Sequence, residues 1–276
     1  MIAWASWVGA LPFDWAQFSF MQNALLAVVL VTPLFALLGC LVIQNQMAFF
    51  SDAIGHAALT GIALGVLLGI GNPLWSMIAF ALLLALGITL LRRYSAVPTD
   101  TIISLMMAFT VALGVVLLSR GGGFANYSRF LIGDILTVSP SEIHGLGILL
   151  AVVVLLWTTL FNSFFLTFLN RSLAKSRGIR VWVLEGIFAA VVAVVVTVCI
   201  QWVGLLVINS LLILPAAAAR NMAVGLRSYH LMALAISLVS GLAGLIFSFY
   251  WGTATGATIV LFAMAFFIVS LVFRKR

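Results

Sequence analysis

The residues with the clearest chemical potential lie in the segment Ser51–His56, where a carboxylate and an imidazole are four positions apart. On an α-helix, Asp52 and His56 leave the same face, because residues four apart stack one turn above the other. A carboxylate oxygen and an imidazole nitrogen together suit zinc, manganese or ferrous iron. One copy offers only two ligands, whereas two copies meeting at a twofold axis would offer four. The alternative interpretation is structural: Asp52 caps the helix and His56 is its partner.

The composition indicates that this pair belongs to a membrane protein. Of the 276 residues, 65% are hydrophobic and only 7% are charged, whereas a soluble domain carries roughly a quarter charged residues. With so few ionisable side chains, most hydrolytic and redox machinery is excluded. An ionisable residue inside a membrane span costs roughly 3 kcal/mol or more, so Asp52 and His56 are functional candidates by position as well as by type.

The net charge and the cysteines must be interpreted in the same setting. A net charge of +7 would suggest nucleic acid as the partner of a soluble protein. In a membrane protein the placement of the charges matters more than their sum, and we expect no nucleic-acid partner. Cys40 and Cys199 lie in long apolar runs, which predicts buried hydrophobic side chains and no disulfide.

The apolar runs predict an all-α, polytopic transmembrane bundle that forms one domain over residues 1–276. A hydrocarbon core about 30 Å thick needs roughly 20 apolar residues per helix. Nine runs fit: 22–43, 53–71, 73–91, 101–119, 143–166, 181–200, 203–219, 229–250 and 254–273. Eight spans are the alternative, because the breaks near 72 and 201 are short. Residues 1–20 hold Trp4, Trp7 and Trp15 but no basic residue, which is typical of an interfacial segment and not of a cleaved signal.

The basic residues orient the spans. With nine spans and an outside N-terminus, eleven of the thirteen Lys and Arg residues fall on one side, which the positive-inside rule makes cytoplasmic. These are Arg92, Arg93, Arg171, Lys175, Arg177, Arg180, Arg220, Arg227, Arg274, Lys275 and Arg276. Only Arg120 and Arg129 fall outside.

Two loops stand out in this topology. The inside loop 167–180 is the longest basic segment facing the cytoplasm, and we expect it to form a short surface helix available to a soluble partner. The outside loop 120–142 closes on Ser139, Pro140 and Glu142, the pattern of a capping box at the start of the next helix.

Small and polar residues complete the prediction. Ala57, Gly61, Gly65 and Gly69 recur every four residues, a spacing that predicts a seam against which another helix packs closely. The isolated carboxylates have structural interpretations as well: Asp100 caps the fourth span, Asp134 lies in a solvated loop, and Glu185 is stabilised by a helix dipole.

The chain lacks the motifs of its own energy source or of a familiar intramembrane enzyme. It contains no Gly-x-x-x-x-Gly-Lys-Ser/Thr loop for nucleotide phosphates and no His-Glu-x-x-His zinc motif. The energy for any pumping must therefore come from a partner or from an ion gradient.

Three segments resemble the bacterial ABC-type zinc, manganese and iron permeases. They are Gln44–Gly61, Phe130–Ser139 with its Gly-Asp-Ile-Leu core, and Val203–Arg220. The resemblance runs from about residue 20 to residue 273, in the same order and spacing.

This resemblance implies the permease subunit of a metal importer in the bacterial inner membrane. It further implies a homodimer, two cytosolic ABC ATPase subunits and an external metal-binding protein, with no permanently bound cofactor. Asp52 and His56 match the family's Asp-x-x-x-His and would line the path of a zinc, manganese or iron ion. Ala174, Lys175, Arg177 and Gly178 match the segment that docks on the ATPase.

Three alternatives remain open from the residues. A permease for a metal chelate such as a siderophore or cobalamin would need a wide cavity with aromatic or hydrogen-bonding walls. A gradient-driven carrier often shows inverted internal repeats, and none is evident here. An intramembrane enzyme would have to rely on Ser51 with His56.

Overall fold

The computed structural model describes Trp4, Val8, residues 12–121 and residues 133–273. Trp7, residues 122–132 of the outside loop, which include Arg129, and the basic residues 274–276 lie outside the described residues. In the part that is described, all regular structure is helical, and nine helices are long and apolar enough to cross a membrane. The all-α polytopic fold is therefore confirmed, and the nine candidate helices favour nine spans over the alternative of eight.

The helices follow one another with short connections. In chain order they are α1 (Ser19–Gln44), α2 (Phe50–Leu67), α3 (Pro73–Tyr94), α4 (Thr99–Gly121), α5 (Pro140–Leu169), α6 (Arg171–Ser176), α7 (Val181–Val203), α8 (Leu205–Met222), α9 (Leu226–Trp251) and α10 (Thr255–Val272). All except α6 are candidate spans. Short 3₁₀ turns precede α1 at Asp14–Gln17 and α5 at Ile135–Thr137.

Two breaks between closely spaced spans depend on glycine. Gly204 alone separates α7 from α8, and its φ of 89° is in a region that L side chains rarely adopt. Gly69 follows the end of α2 with a φ of 70°, and the Ile70 amide donates to the Gly65 carbonyl, as in a common helix C-terminal turn. The second span, which the sequence predicts over 53–71, therefore ends at Leu67.

The first of two compact units comprises Met1–Cys40, Asp134–Leu155 and Trp202–Arg276. Within it, α8, α9 and α10 pack on one another. The Ser237 hydroxyl of α9 donates to the Thr32 carbonyl of α1 at 3.0 Å, which joins α1 to this group. Cys40 is buried as a free thiol, as the sequence predicts.

The second unit comprises Leu41–Gly133 and Leu156–Gln201, and here α2 packs against α3 and α4. The predicted small-residue seam is confirmed at two positions. A Cβ added at Gly61 would lie 2.8 Å from Met77 Cα, and one at Gly65 would overlap the Ser76 side chain. The inclusion of Gly69 in the seam was wrong, because a Cβ there meets no atom within 4 Å and the residue serves the turn after the helix.

Candidate functional site

The predicted carboxylate and imidazole lie at the beginning of α2. Asp52 is in the first turn, and its Oδ1 is 3.6 Å from His56 Nε2 one turn later. That separation is longer than a hydrogen bond. The residue that precedes the helix is Phe49, which makes no side-chain capping hydrogen bond. The N-cap position is therefore occupied by Phe49 and not by Asp52, which lies in the first turn close to His56.

The pair forms a small exposed window on a helix that is otherwise covered. From Phe50 to Ala63, every residue except Asp52 and His56 is buried. Their side chains are 32% and 45% exposed respectively. An exposed carboxylate next to an exposed imidazole is unfavourable against hydrocarbon. This window must therefore face water, a permeating ion or another polar protein surface.

Contacts with α4 fix the rotation of α2 and so aim the window. Thr60 follows His56 by one turn on the same face, but it is wholly buried. Its hydroxyl donates to the Thr110 carbonyl of α4 at 2.6 Å. A Cβ added at Gly114 would lie 2.5 Å from Thr60 Oγ1, so the absence of a side chain there lets α4 approach. The face is closed at Thr60 and open at Asp52 and His56.

Arg92 anchors the segment that leads into α2. Its Nη2 donates to Asn45 Oδ1 at 3.2 Å, and its Nη1 lies 3.3 Å from Met47 Sδ. Asn45 and Met47 are both buried. Sequence reasoning assigned Arg92 only to membrane orientation and missed this contact, because no local pattern connects residues 47 positions apart.

The inside loop contains the expected short helix, α6. Asn170 caps it by accepting from the Ser172 and Leu173 amides at 3.0 and 3.1 Å. Ala174 is the one buried residue of α6. The three other predicted coupling residues are exposed: Lys175, Arg177 and Gly178. Gly178 has a φ of 75°, so the chain turns sharply before α7.

An ion pair joins this loop to α7. Arg171 Nη2 lies 2.7 Å from Glu185 Oε1, and the Glu185 side chain is only 10% exposed. The sequence prediction explained Glu185 by the helix dipole and missed its partner. The acid is thus a structural anchor of the inside loop 167–180.

The remaining polar candidates have local roles. Ser139 and Glu142 form the predicted capping box: the Ser139 amide donates to Glu142 Oε2 at 2.7 Å, and α5 begins at Pro140. Asp134 is exposed and accepts from the Leu136 amide at 3.0 Å, which caps the 3₁₀ turn. Asp100 is the second residue of α4 and not its cap, so that detail was wrong.

The structure does not support an intramembrane nucleophile at Ser51. The Ser51 side chain is buried, whereas His56 is exposed on a different face of α2. Within residues 12–121 and 133–273, no three His, Cys, Asp or Glu side chains converge as a metal site. Among the described residues, Asp52 and His56 are therefore a pair of candidate ligands and not part of a closed cage within one chain.

Nine candidate spans in the described part of the chain indicate a multi-pass membrane protein, and comparison with known proteins assigns its class. Residues 17–274 match the ABC 3 transport family, and the chain belongs to this family of ABC transporter permeases. The predicted role as a membrane permease in the bacterial inner membrane is thereby confirmed.

Individual relatives and a solved structure match over nearly the whole chain. The chain is 32% identical to the manganese import system permease protein ScaB of Streptococcus parasanguinis, over 92% of this chain and 90% of that protein. It is 30% identical to the high-affinity zinc uptake system membrane protein ZnuB of Haemophilus influenzae, over 94% of this chain and 100% of that protein. The fold matches a structure of PsaBC from Streptococcus pneumoniae in complex with Fab, with a TM-score of 0.77, 30% identity and coverage of 98% and 95%.

Proposed function

We propose that this permease conducts a divalent zinc, manganese or iron ion into the cell, and that Asp52 and His56 coordinate the ion on its way. The observation that carries the proposal is the exposed window of one carboxylate and one imidazole on a helix that is otherwise buried from Phe50 to Ala63. Relatives named as manganese and zinc uptake proteins over nearly the whole chain support the same cargo.

The spacing of the two side chains suits a shared metal ion. Two ligands bound at about 2.1 Å to one tetrahedral ion lie about 3.4 Å apart. The separation of 3.6 Å between Asp52 Oδ1 and His56 Nε2 is close to that value. The separation is therefore compatible with one ion shared by both atoms.

Two ligands from one chain hold a cation only briefly, and a second copy would complete the site. In the proposed homodimer, the exposed windows of both copies face each other and together supply two carboxylates and two imidazoles. Transport requires binding that is strong enough to admit the ion and weak enough to release it. A site divided between two chains meets this requirement, because relative motion of the chains opens it.

ATP supplies the energy for this motion through separate cytosolic subunits. The exposed Lys175, Arg177 and Gly178 offer a contact surface for an ABC ATPase, while buried Ala174 and the Arg171–Glu185 ion pair connect that surface to the membrane helices. An external binding protein delivers the ion on the opposite side. The permease itself is not catalytic in this scheme.

The test is metal accumulation in cells that depend on this permease. Zinc, manganese and iron are counted together by mass spectrometry in cells with the wild-type chain, Asp52→Asn or His56→Gln, at matched membrane levels of the protein. Both variants keep approximately the size of the side chain but replace a carboxylate or an imidazole by a neutral amide, a much weaker ligand for these metals, and we expect each to lose at least nine-tenths of the uptake.

Matched controls come from the same chain. Asp134→Asn keeps the oxygen that caps its turn, and His144→Gln changes an exposed imidazole at the start of α5; both should transport normally. Normal uptake by Asp52→Asn and His56→Gln would refute the site. Uptake of iron only as a siderophore complex would instead indicate a chelate permease.

A further inference from the structure

A cavity rich in positive charge lies within the second unit, where α3, α7 and the inside loop 167–180 with its helix α6 meet. It has a volume of about 440 Å³, and five basic side chains line it: Arg92, Arg93, Arg171, Lys175 and Arg180. Glu185 is the one carboxylate in the lining and is already paired with Arg171. The lining therefore carries a formal excess of four positive charges, which favours an anionic occupant.

An apolar groove continues from this cavity along the membrane-spanning part of α3 and α7. Its volume is about 420 Å³, and its walls include Leu86, Leu90 and Ile187. All three side chains are more than one-third exposed on the surface of the chain. The groove and the basic cavity share Thr89, Arg93 and Trp182 in their linings, so they form one continuous depression.

The shared residues have the character of a membrane–water boundary. The Arg93 guanidinium lies 5.9 Å from the centre of the Trp182 ring, an arrangement that keeps the cation near the groove without neutralising it. Trp182 is 53% exposed, and tryptophans concentrate at the level of lipid headgroups. The basic end of the depression lies on the side that the positive-inside rule makes cytoplasmic.

We propose that this depression binds one anionic phospholipid of the cytoplasmic leaflet, with its phosphate among Arg93, Lys175 and Arg180 and an acyl chain along the groove. Basic pockets between spans on this side of a membrane suit such headgroups. A free phosphate ion or an acidic protein surface would use the charged cavity but would leave the groove empty. The continuity of the two volumes therefore favours a lipid. The bound lipid would lie directly against the inside loop 167–180, so the lipid composition of the membrane would influence the conformation of that loop.

The glycine in the groove makes a selective test possible. Gly186 lines the groove, and a Cβ added there meets no atom within 4 Å. Gly186→Phe therefore fills the groove without a backbone clash. It also replaces glycine, which has a low helix propensity, so the helix itself is not weakened. It leaves all five cations in place. The complementary variant, Arg93→Gln with Arg180→Gln, removes two cations and leaves the groove open.

The experiment measures lipid retained by the full-length protein. The protein is reconstituted in nanodiscs of phosphatidylcholine containing one-tenth phosphatidylglycerol, and retained lipid is identified by native mass spectrometry after mild detergent release. We expect the wild-type chain to retain one phosphatidylglycerol per copy. Arg93→Gln/Arg180→Gln should lower the preference for phosphatidylglycerol about tenfold or more, and Gly186→Phe should lower retention similarly. Arg227→Gln, which changes a basic residue on another helix, should retain lipid as the wild type does.

Four outcomes would overturn the proposal. Equal retention of the two lipids would show that the headgroup charge is not recognised. Normal retention by Gly186→Phe, or displacement of the lipid by 10 mM inorganic phosphate, would show that no acyl chain is held. Loss of ATPase association in Arg93→Gln/Arg180→Gln, with lipid retention unchanged, would assign the cavity to a protein partner.

Discussion

Substitution of Gly61 by alanine tests the packing of α3 against α2, the helix that carries Asp52 and His56. The added Cβ would lie 2.8 Å from Met77 Cα and 3.1 Å from Ser76 O, whereas non-bonded carbon atoms rest about 3.5–4.0 Å apart. Both neighbours are backbone atoms, so no side-chain rotation relieves the overlap. α2 and α3 must separate by about 1 Å, and overpacking of this kind costs about 1–3 kcal/mol. The better helix propensity of alanine offsets about 1 kcal/mol of that cost.

Gly147→Ala provides the matched control. Gly147 lies inside α5, and a Cβ added there meets no atom within 4 Å, so this variant gains the propensity without the overlap. The difference between the two variants therefore isolates the overlap, at about 2 kcal/mol in the free energy of unfolding. Titration of the purified protein with sodium dodecyl sulfate in mixed micelles measures both values. If Gly61→Ala is as stable as Gly147→Ala, the close contact between α2 and α3 does not exist.

Two further predictions concern the inside loop 167–180. Glu185→Gln removes the charge that holds Arg171. Because Arg171 is 58% exposed, solvent screens the pair, and we expect a loss of about 1 kcal/mol in the stability of the loop. Trypsin should then cleave the loop of the purified protein roughly fivefold faster, and an unchanged rate would contradict the anchoring role. The double variant Lys175→Glu/Arg177→Glu should reduce co-purification of the cognate ABC ATPase more than tenfold, whereas Arg227→Glu should not. Equal recovery of the ATPase with the wild type and both variants would show that the loop does not contact the ATPase.

The spans and one helix start could be predicted from sequence because each depends on local information. The length of an apolar run fixes a crossing helix through the thickness of the bilayer, and the capping box at Ser139 involves residues only three positions apart. Even so, spacing alone did not separate Gly61 from Gly69. Both continue a four-residue period, but Gly61 contacts α3, whereas Gly69 terminates the helix in a left-handed conformation.

The contacts that position the site could not be predicted because they connect distant parts of the chain. Arg92 reaches Asn45 across 47 positions, and Thr60 reaches Thr110 across 50. A single sequence carries no sign of such pairs, since each residue has an adequate local interpretation. Arg92 satisfies the positive-inside rule, and Thr60 is an ordinary residue of an apolar helix. The second function of each residue is visible only when the helices are packed.

The exposed window illustrates how much the tertiary contacts add to the motif. Helical spacing places Asp52, His56 and Thr60 on one face, and the spacing alone would treat all three alike. The structure divides them: the backbone carbonyl of Thr110 accepts from Thr60 and closes the face there, while Asp52 and His56 remain 32% and 45% exposed. The two candidate ligands are thus the residues of this face that stay exposed. The proposed coordination of an ion therefore rests on this opening, because from Ala57 to Ala63 the chain itself covers the helix on every side.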